Sequence, residues 1–263
     1  MRFRLRRRVL LPTIAMIALL LLWEVSVRAF NIPVYLLPAP SEIWREMVAI
    51  PERMAANTLA TFTTVIIGFI VSIVFSFPIA ILIAYSRWWS DAISPILVFT
   101  QSIPKVALAP ILVVALGPNE VPRVVITFLV AFFPLVISLA TGLMATPKEL
   151  RELGRVHLAS RWQELVYIRL PYAVPHIFSG LKVAVTLAVI GAVVGEFVAA
   201  DKGLGYMITS ASAYFRTPLA YGAMVLLSLM GIILFQVIVV IEAVFFPWSA
   251  GRQQNEHMGN AQT

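Results

Sequence analysis

The sequence predicts an all-α membrane protein of six transmembrane helices, with a charged helical hairpin between the fourth and the fifth. Two observations carry that expectation. Of the 263 residues 60% are apolar and 13% are charged, about half the charged share of a soluble domain, and the mean hydropathy is +0.90. The charges are also unevenly placed: they gather between uncharged runs long enough to cross a bilayer. The net charge of +7 would suggest nucleic acid on a soluble chain. Here the basic residues flank apolar runs, so they report topology, and no nucleic-acid partner is expected. With no cysteine there is neither a disulfide nor a thiolate metal site, and the three histidines, His157, His176 and His257, lack metal-ligand spacing.

Arg2, Arg4, Arg6, Arg7 and Arg8 precede an apolar run, which predicts an uncleaved first span over about 9–30. Glu24 and Arg28, four apart, can pair near its outer end. Pro33, Pro38 and Pro40 make an extended loop, and Ser41 to Glu46 begins a short helix whose Trp44 and Met47 suit a membrane interface. Met54–Ser86 carries no charge and holds a second span, 58–84, with Pro78 as a potential kink. Arg87, Trp88 and Trp89 form an interfacial cluster. A third span, 92–116, is interrupted by Pro104, Lys105 and Pro110; a fourth covers 123–145, with Pro134 inside. A fifth covers 178–199, a sixth 219–246, and a polar tail follows at 248–263. With the N-terminus in the cytosol, most of the 20 Lys and Arg fall on the cytosolic side, as does the C-terminus.

The densest charge after the N-terminus lies in 146–171, TPKELRELGRVHLASRWQELVYIRLP. Two helix starts are written in it. Thr146 can cap, with Pro147 at the first helical position and Glu149 reaching back; Ser160 and Gln163 repeat the pattern. A helix from about Pro147 to Leu158, a turn near Ala159 and a second helix from Arg161 are expected. Leu150 and Leu153 share a face of the first; Trp162, Leu165 and Val166 share one of the second. Pro171 and Pro175 are expected to break the backbone before the fifth span.

At these residues the chain resembles the permease subunits of ABC importers. Glu152, Leu153 and Gly154, followed by Ile168, Arg169, Leu170 and Pro171, match the spacing of the family's EAA-x3-G-x9-I-x-L-P loop. Gly154 stands at the second Ala, and Leu158 stands where the family has a Gly. A Gly takes positive φ freely and Leu does not, which leaves the form of this turn open. The resemblance implies that 146–171 is a cytosolic coupling loop docking into an ATPase subunit. The docking residues would be Glu149, Glu152, Gly154, Arg155 and Leu158 on the first arm and turn. Ala159, Ser160, Trp162, Ile168, Leu170 and Pro171 would continue them on the second. The segments FSGLK after the loop and GEFV…GLGY beyond it resemble the nitrate/sulfonate/taurine group of permeases. That group implies two ATPase subunits, a second permease copy and a periplasmic or lipid-anchored binding protein, in the lipid of a bacterial inner membrane. It also implies a small polar or anionic solute: nitrate, a sulfonate, taurine, a thiamine-precursor pyrimidine or another vitamin precursor. The wording IPKVALAP and GEFVAADKGLGYMI is nearer the pyrimidine and vitamin-precursor members.

Inside the expected spans two ionisable residues are candidates for the solute pathway. Lys105 sits near the middle of the third, at an insertion cost of about 2.5–3.5 kcal/mol; the other readings are an ion pair with Glu196 or snorkelling. Glu196 lies near the outer end of the fifth, where it reads equally as an interfacial carboxylate. Gln236 reads as a helix–helix hydrogen bond, and Gly191, Ala192 and Gly195 as close packing. The sequence contains no G-x-x-x-x-G-K-[ST], H-E-x-x-H or G-x-S-x-G. The chain is therefore expected to be no enzyme and to hold no cofactor, with ATP and Mg bound and hydrolysed on a partner. The alternative is a stand-alone secondary transporter or channel using Lys105 and Glu196 as coupling or selectivity groups.

Overall fold

The computed structural model describes residues 2–249, and helices are the only regular elements among them. Residues 250–263, with His257 and nearly all of the expected tail, lie outside the described residues. Eleven α-helices follow in order: α1 Arg2–Ala29, α2 Pro40–Ala49, α3 Pro51–Tyr85, α4 Arg87–Ser102, α5 Ala109–Leu116, α6 Glu120–Met144, α7 Lys148–Val156, α8 Arg161–Glu164, α9 Leu170–Ala199, α10 Leu204–Ala213 and α11 Thr217–Phe245. Five stretches are long and apolar enough to cross a membrane, and α4 with α5 makes a sixth if that bent pair is one span.

The chain divides into two compact units, residues up to 60 with 202–227, and 61–201 with 228 onward. In the first, α1 is tied to α2 through a carboxylate. Glu24 pairs with Arg28 at 2.6 Å, as expected, and also accepts from the backbone N–H of Ser41 at 3.0 Å and from its hydroxyl at 2.8 Å. Those bonds satisfy a free amide in the first turn of α2. Trp44 on α2 is 67% exposed, as an interfacial anchor would be. Gly222 of α11 lies against Met47 and Met54, and Glu46 forms an ion pair with Arg216. Gly203, at φ 119, donates its N–H to Asn57 Oδ1 at 2.7 Å and so joins α10's entry to α3.

The second unit is built on α6 and α9, which pack along their length. Added Cβ atoms at Gly142, Gly180, Gly191 and Gly195 would meet His176, Ser138, Thr127 and Arg123 at 2.5–2.9 Å. These pairs step in opposite directions along the two helices by equal amounts, so α6 and α9 are antiparallel in one unbroken register. Gly191 and Gly195 would drive a Cβ into the Cα of Thr127 and Arg123, which is the close packing expected of them. The α3 segment runs the other way relative to α9. Gly68 abuts Thr127, Ser72 donates to Phe128 O at 3.2 Å, and Ser76 to Phe132 O at 3.4 Å. Numbers rise together, so α3 and α6 are parallel.

That parallelism fixes what lies between them. The chain leaves α3 at Tyr85 and must return along its length before Glu120 can begin α6. The return is not the single span expected over 92–116. It is α4, a short 3₁₀ turn at Lys105–Leu108, and α5, with the helix axes bent by 81°. Pro104 explains the break: it has no N–H to donate and holds Ile103 extended, at ψ 125. Gly117, at φ 84, ends α5.

Candidate functional site

The hairpin between α6 and α9 begins differently from its expected cap. Thr146 is buried and its hydroxyl donates back to Leu143 O at 3.2 Å, closing the last turn of α6. Pro147 takes the extended conformation, and α7 starts at Lys148 without a side-chain cap. Pro147 takes the N-cap position of α7, so Thr146 stands one residue outside it and its hydroxyl serves the end of α6. The second cap is as expected: Gln163 N–H donates to Ser160 Oγ at 3.2 Å, and Ser160 N–H to Gln163 Oε1 at 2.8 Å.

The turn between the arms is a left-handed helix cap made by a leucine. Leu158 has φ 51. Its N–H donates to Arg155 O at 3.0 Å, and the N–H of Ala159 donates to Gly154 O at 2.9 Å. This is the two-bond pattern of a Schellman cap, with Leu158 in the place usually taken by Gly. The left-handed geometry costs a non-glycine residue about 1–2 kcal/mol. The side chain this places in the turn is 91% exposed. Gly154 is buried, and a Cβ there would lie 2.7 Å from Ile168 Cδ1. The two arms meet at this point, Gly154 of the first against the Ile168 side chain of the second.

The second arm does not stop at its prolines. Leu165–Arg169 forms a π turn, in which Leu170 N–H donates to Leu165 O, and the helix continues into α9 with Pro171 in its first turn and Pro175 inside. The expectation of a broken backbone is corrected here. The widened turn makes room for the Pro171 ring and absorbs the bond it cannot make. Trp162 and Leu165 also part company: Trp162 is 70% exposed while Leu165 is buried.

The hairpin is held by the end of α3. Arg169, buried, pairs with Glu164 at 2.7 Å, donates to Ala84 O at 3.0 Å and lies 4.4 Å over the Tyr85 ring. Tyr85 Oη donates to Arg161 O at 2.9 Å. Beyond this clamp, Glu149, Glu152 and Arg155 are exposed, and so are Val156, Leu158 and Trp162. Beside the hairpin lies an open groove of about 460 Å³ lined by Leu150, Leu153, Tyr167, Ile168, Pro171, Tyr172 and Trp248.

Of the two pathway candidates, Lys105 is at the bend and not in mid-helix. It is half-buried, donates to Gln101 O at the end of α4 at 3.2 Å, and sits 5.3 Å from the centre of the Phe133 ring. A helix C-terminus and an aromatic face both favour a cation. Its contacts among the described residues do not include Glu196. Glu196 is not at an exposed interface: it is 1% exposed and accepts from the Thr61 hydroxyl at 3.1 Å. Its neighbour Gly195 abuts Arg123, itself 3% exposed, so two buried charged residues lie at one level of the packing. Gln236 is exposed on α11.

One cluster escaped the sequence reading. Lys182 on α9 pairs with Glu242 on α11 at 2.6 Å, and Ser249 donates to the second Glu242 oxygen at 2.7 Å. Glu242 is 2% exposed. Ion pairs at such separations leave no local signature; the only available hint was a carboxylate inside an apolar span.

Residues 76–250 match the family model described as binding-protein-dependent transport system inner membrane component. The chain is 35% identical over 238 residues to the formylaminopyrimidine transport permease protein ThiX of Halalkalibacterium halodurans, covering 90% of this chain and 95% of that one. It is 32% identical over 241 residues to the riboflavin transport system permease protein RibX of Chloroflexus aurantiacus, covering 90% and 89%. It is 26% identical to the nitrate import permease protein NrtB of Synechocystis, covering 91% and 90%. Among solved structures, a chain of the MetNI methionine ABC transporter in an inward-facing conformation superposes with a TM-score of 0.65 at 18% identity, covering 74% of this chain and 96% of that one.

Proposed function

Because this chain belongs to the family of binding-protein-dependent transport system inner membrane components, and is thus the multi-pass permease subunit of an ABC transporter, we propose how it takes up energy and what it carries. The observation that carries the proposal is the hairpin: an α3-clamped element whose outer surface mixes Glu149, Glu152 and Arg155 with exposed Val156, Leu158 and Trp162. We assign it the docking of an ATPase subunit, one per permease copy in a pair, with ATP and Mg bound on the ATPase. Closure of the ATPases would push the hairpin. The continuous helix from Arg161 into α9 would carry that push into the membrane, and the Arg169–Tyr85 clamp would share it with α3.

The hairpin and both termini then face the cytosol of a bacterial inner membrane, with a binding protein delivering solute to the opposite side. Six crossings follow if α4 and α5 count as one. Lys105, at the bend of that crossing, is proposed to line the path. Glu196, buried beside Thr61, would join it only when helices part, and holds α9 to α3 until then. Relatives named for formylaminopyrimidine and riboflavin transport support a nitrogen-heterocyclic vitamin precursor as the solute, ahead of a sulfonate, taurine or nitrate. Co-purification tests the assembly: the tagged permease should retain an ATPase, and uptake into vesicles should require ATP. Uptake driven by an ion gradient in ATP-depleted vesicles would refute it.

A further inference from the structure

The first unit contains a cavity that the transport reading does not use. It has a volume of about 240 Å³ and opens between the entry to α3, one side of α10 and the entry to α11. Its polar lining is Arg53, Asn57, Tyr206, Ser210, Tyr214 and Arg216. Two arginines and three hydroxyl-bearing side chains face it, and no carboxylate does. Glu46 engages Arg216 from outside the lining. Arg53 is exposed and forms no ion pair among the described residues. Asn57 is already spent, bonding Arg53 O and Gly203 N–H, so it shapes the wall. The first turns of two long helices, α3 and α11, reach the cavity, and so does the last turn of α10, so the helix ends there carry both signs of partial charge and the cationic character comes from the arginines.

We propose that this cavity binds a phosphate group, presented by the headgroup of an anionic phospholipid. Guanidinium forks and hydroxyl donors are the groups that suit phosphate oxygens. Three features favour lipid as the source. The cavity lies where two apolar helices begin, the level at which headgroups sit. Tyr214 is 78% exposed at its rim and Phe215, next to it, is 77% exposed, as in an interfacial aromatic belt. The volume is that of a headgroup phosphate with some water, too small for a whole lipid. In the orientation proposed above the lipid comes from the outer leaflet, but the site itself does not depend on the transport reading.

The test uses the full chain in nanodiscs of phosphatidylcholine doped with phosphatidylglycerol, with bound lipid read by native mass spectrometry. Wild type should retain phosphatidylglycerol. Arg53→Gln should retain it about fivefold less, the factor expected per interfacial arginine, and Arg45→Gln, on an arginine outside the cavity, should match wild type. Because Arg216→Gln alone would leave Glu46 unpaired, that arginine is tested as the Glu46→Gln/Arg216→Gln pair, with the same expected loss. A second arm titrates inorganic phosphate into pure phosphatidylcholine nanodiscs. Binding there that Arg53→Gln removes would support the site and reassign its ligand to a soluble phosphate. Equal phosphatidylglycerol retention by wild type and Arg53→Gln, with no phosphate binding, would overturn the proposal. ATP-driven uptake by a chain that fails this test would leave the transport reading intact.

Discussion

The amide of Ala159 donates to the carbonyl of Gly154 at 2.9 Å, across a leucine held at φ 51. Backbone and side chain of Leu158 can be separated by mutation. Leu158→Gly should relieve the left-handed strain and raise the stability of the permease by about 1 kcal/mol. Leu158→Ala should keep most of the strain and remove the exposed apolar group. Thermal unfolding of the purified chain should rise only for the first, while retention of the ATPase should fall for both.

The clamp between Arg169 and the end of α3 gives a graded series. Tyr85→Phe removes one hydrogen bond and should cost about 1 kcal/mol. Arg169→Ala leaves Glu164 in a partly buried site without its partner and should cost about 3 kcal/mol or more. Thermal stability in detergent checks both. If the clamp also transmits motion, Arg169→Ala should lower solute-stimulated ATP hydrolysis in the assembled complex beyond the loss of stability.

Lys182 and Glu242 make a buried pair with opposite single and double effects. Either Lys182→Met or Glu242→Leu alone should destabilise by about 3–5 kcal/mol, and the double replacement should recover most of it. A double-mutant cycle in chemical denaturation measures the coupling; additive losses would show that the pair is not an energetic unit.

Lys105→Ala should change uptake without changing membrane insertion or ATPase retention, since its contacts are a backbone carbonyl and a ring face. Unchanged uptake kinetics would reduce Lys105 to a brace for the bend between α4 and α5.

The five long apolar helices and the Ser160 cap could be read from sequence because each is written in contiguous residues. So could the Glu24–Arg28 pair. The close approach at Gly191 and Gly195 was visible as small residues, but the partner helix and its register were not. Local rules failed where a neighbour competed. Pro147 took the cap position of α7, one residue beyond Thr146, whose hydroxyl bonds an α6 carbonyl. Pro171 was absorbed by a π turn that the proline rule does not anticipate. The 81° bend could be guessed as an interruption at Pro104, yet its need followed only from α3 and α6 running parallel. Leu158 shows the limit most clearly: its departure from Gly left the form of the turn open, and the backbone makes the glycine turn with a leucine at φ 51.

The tip of this hairpin is proposed to touch an ATPase. The chain has no cysteine, so a single Leu158→Cys variant carries one defined thiol. Treated with a short bifunctional crosslinker in the assembled transporter, it should join the ATPase subunit, with a yield that changes on adding ATP, while Tyr214→Cys should not. An intact, ATP-hydrolysing complex in which Leu158→Cys never links to the ATPase would contradict the account.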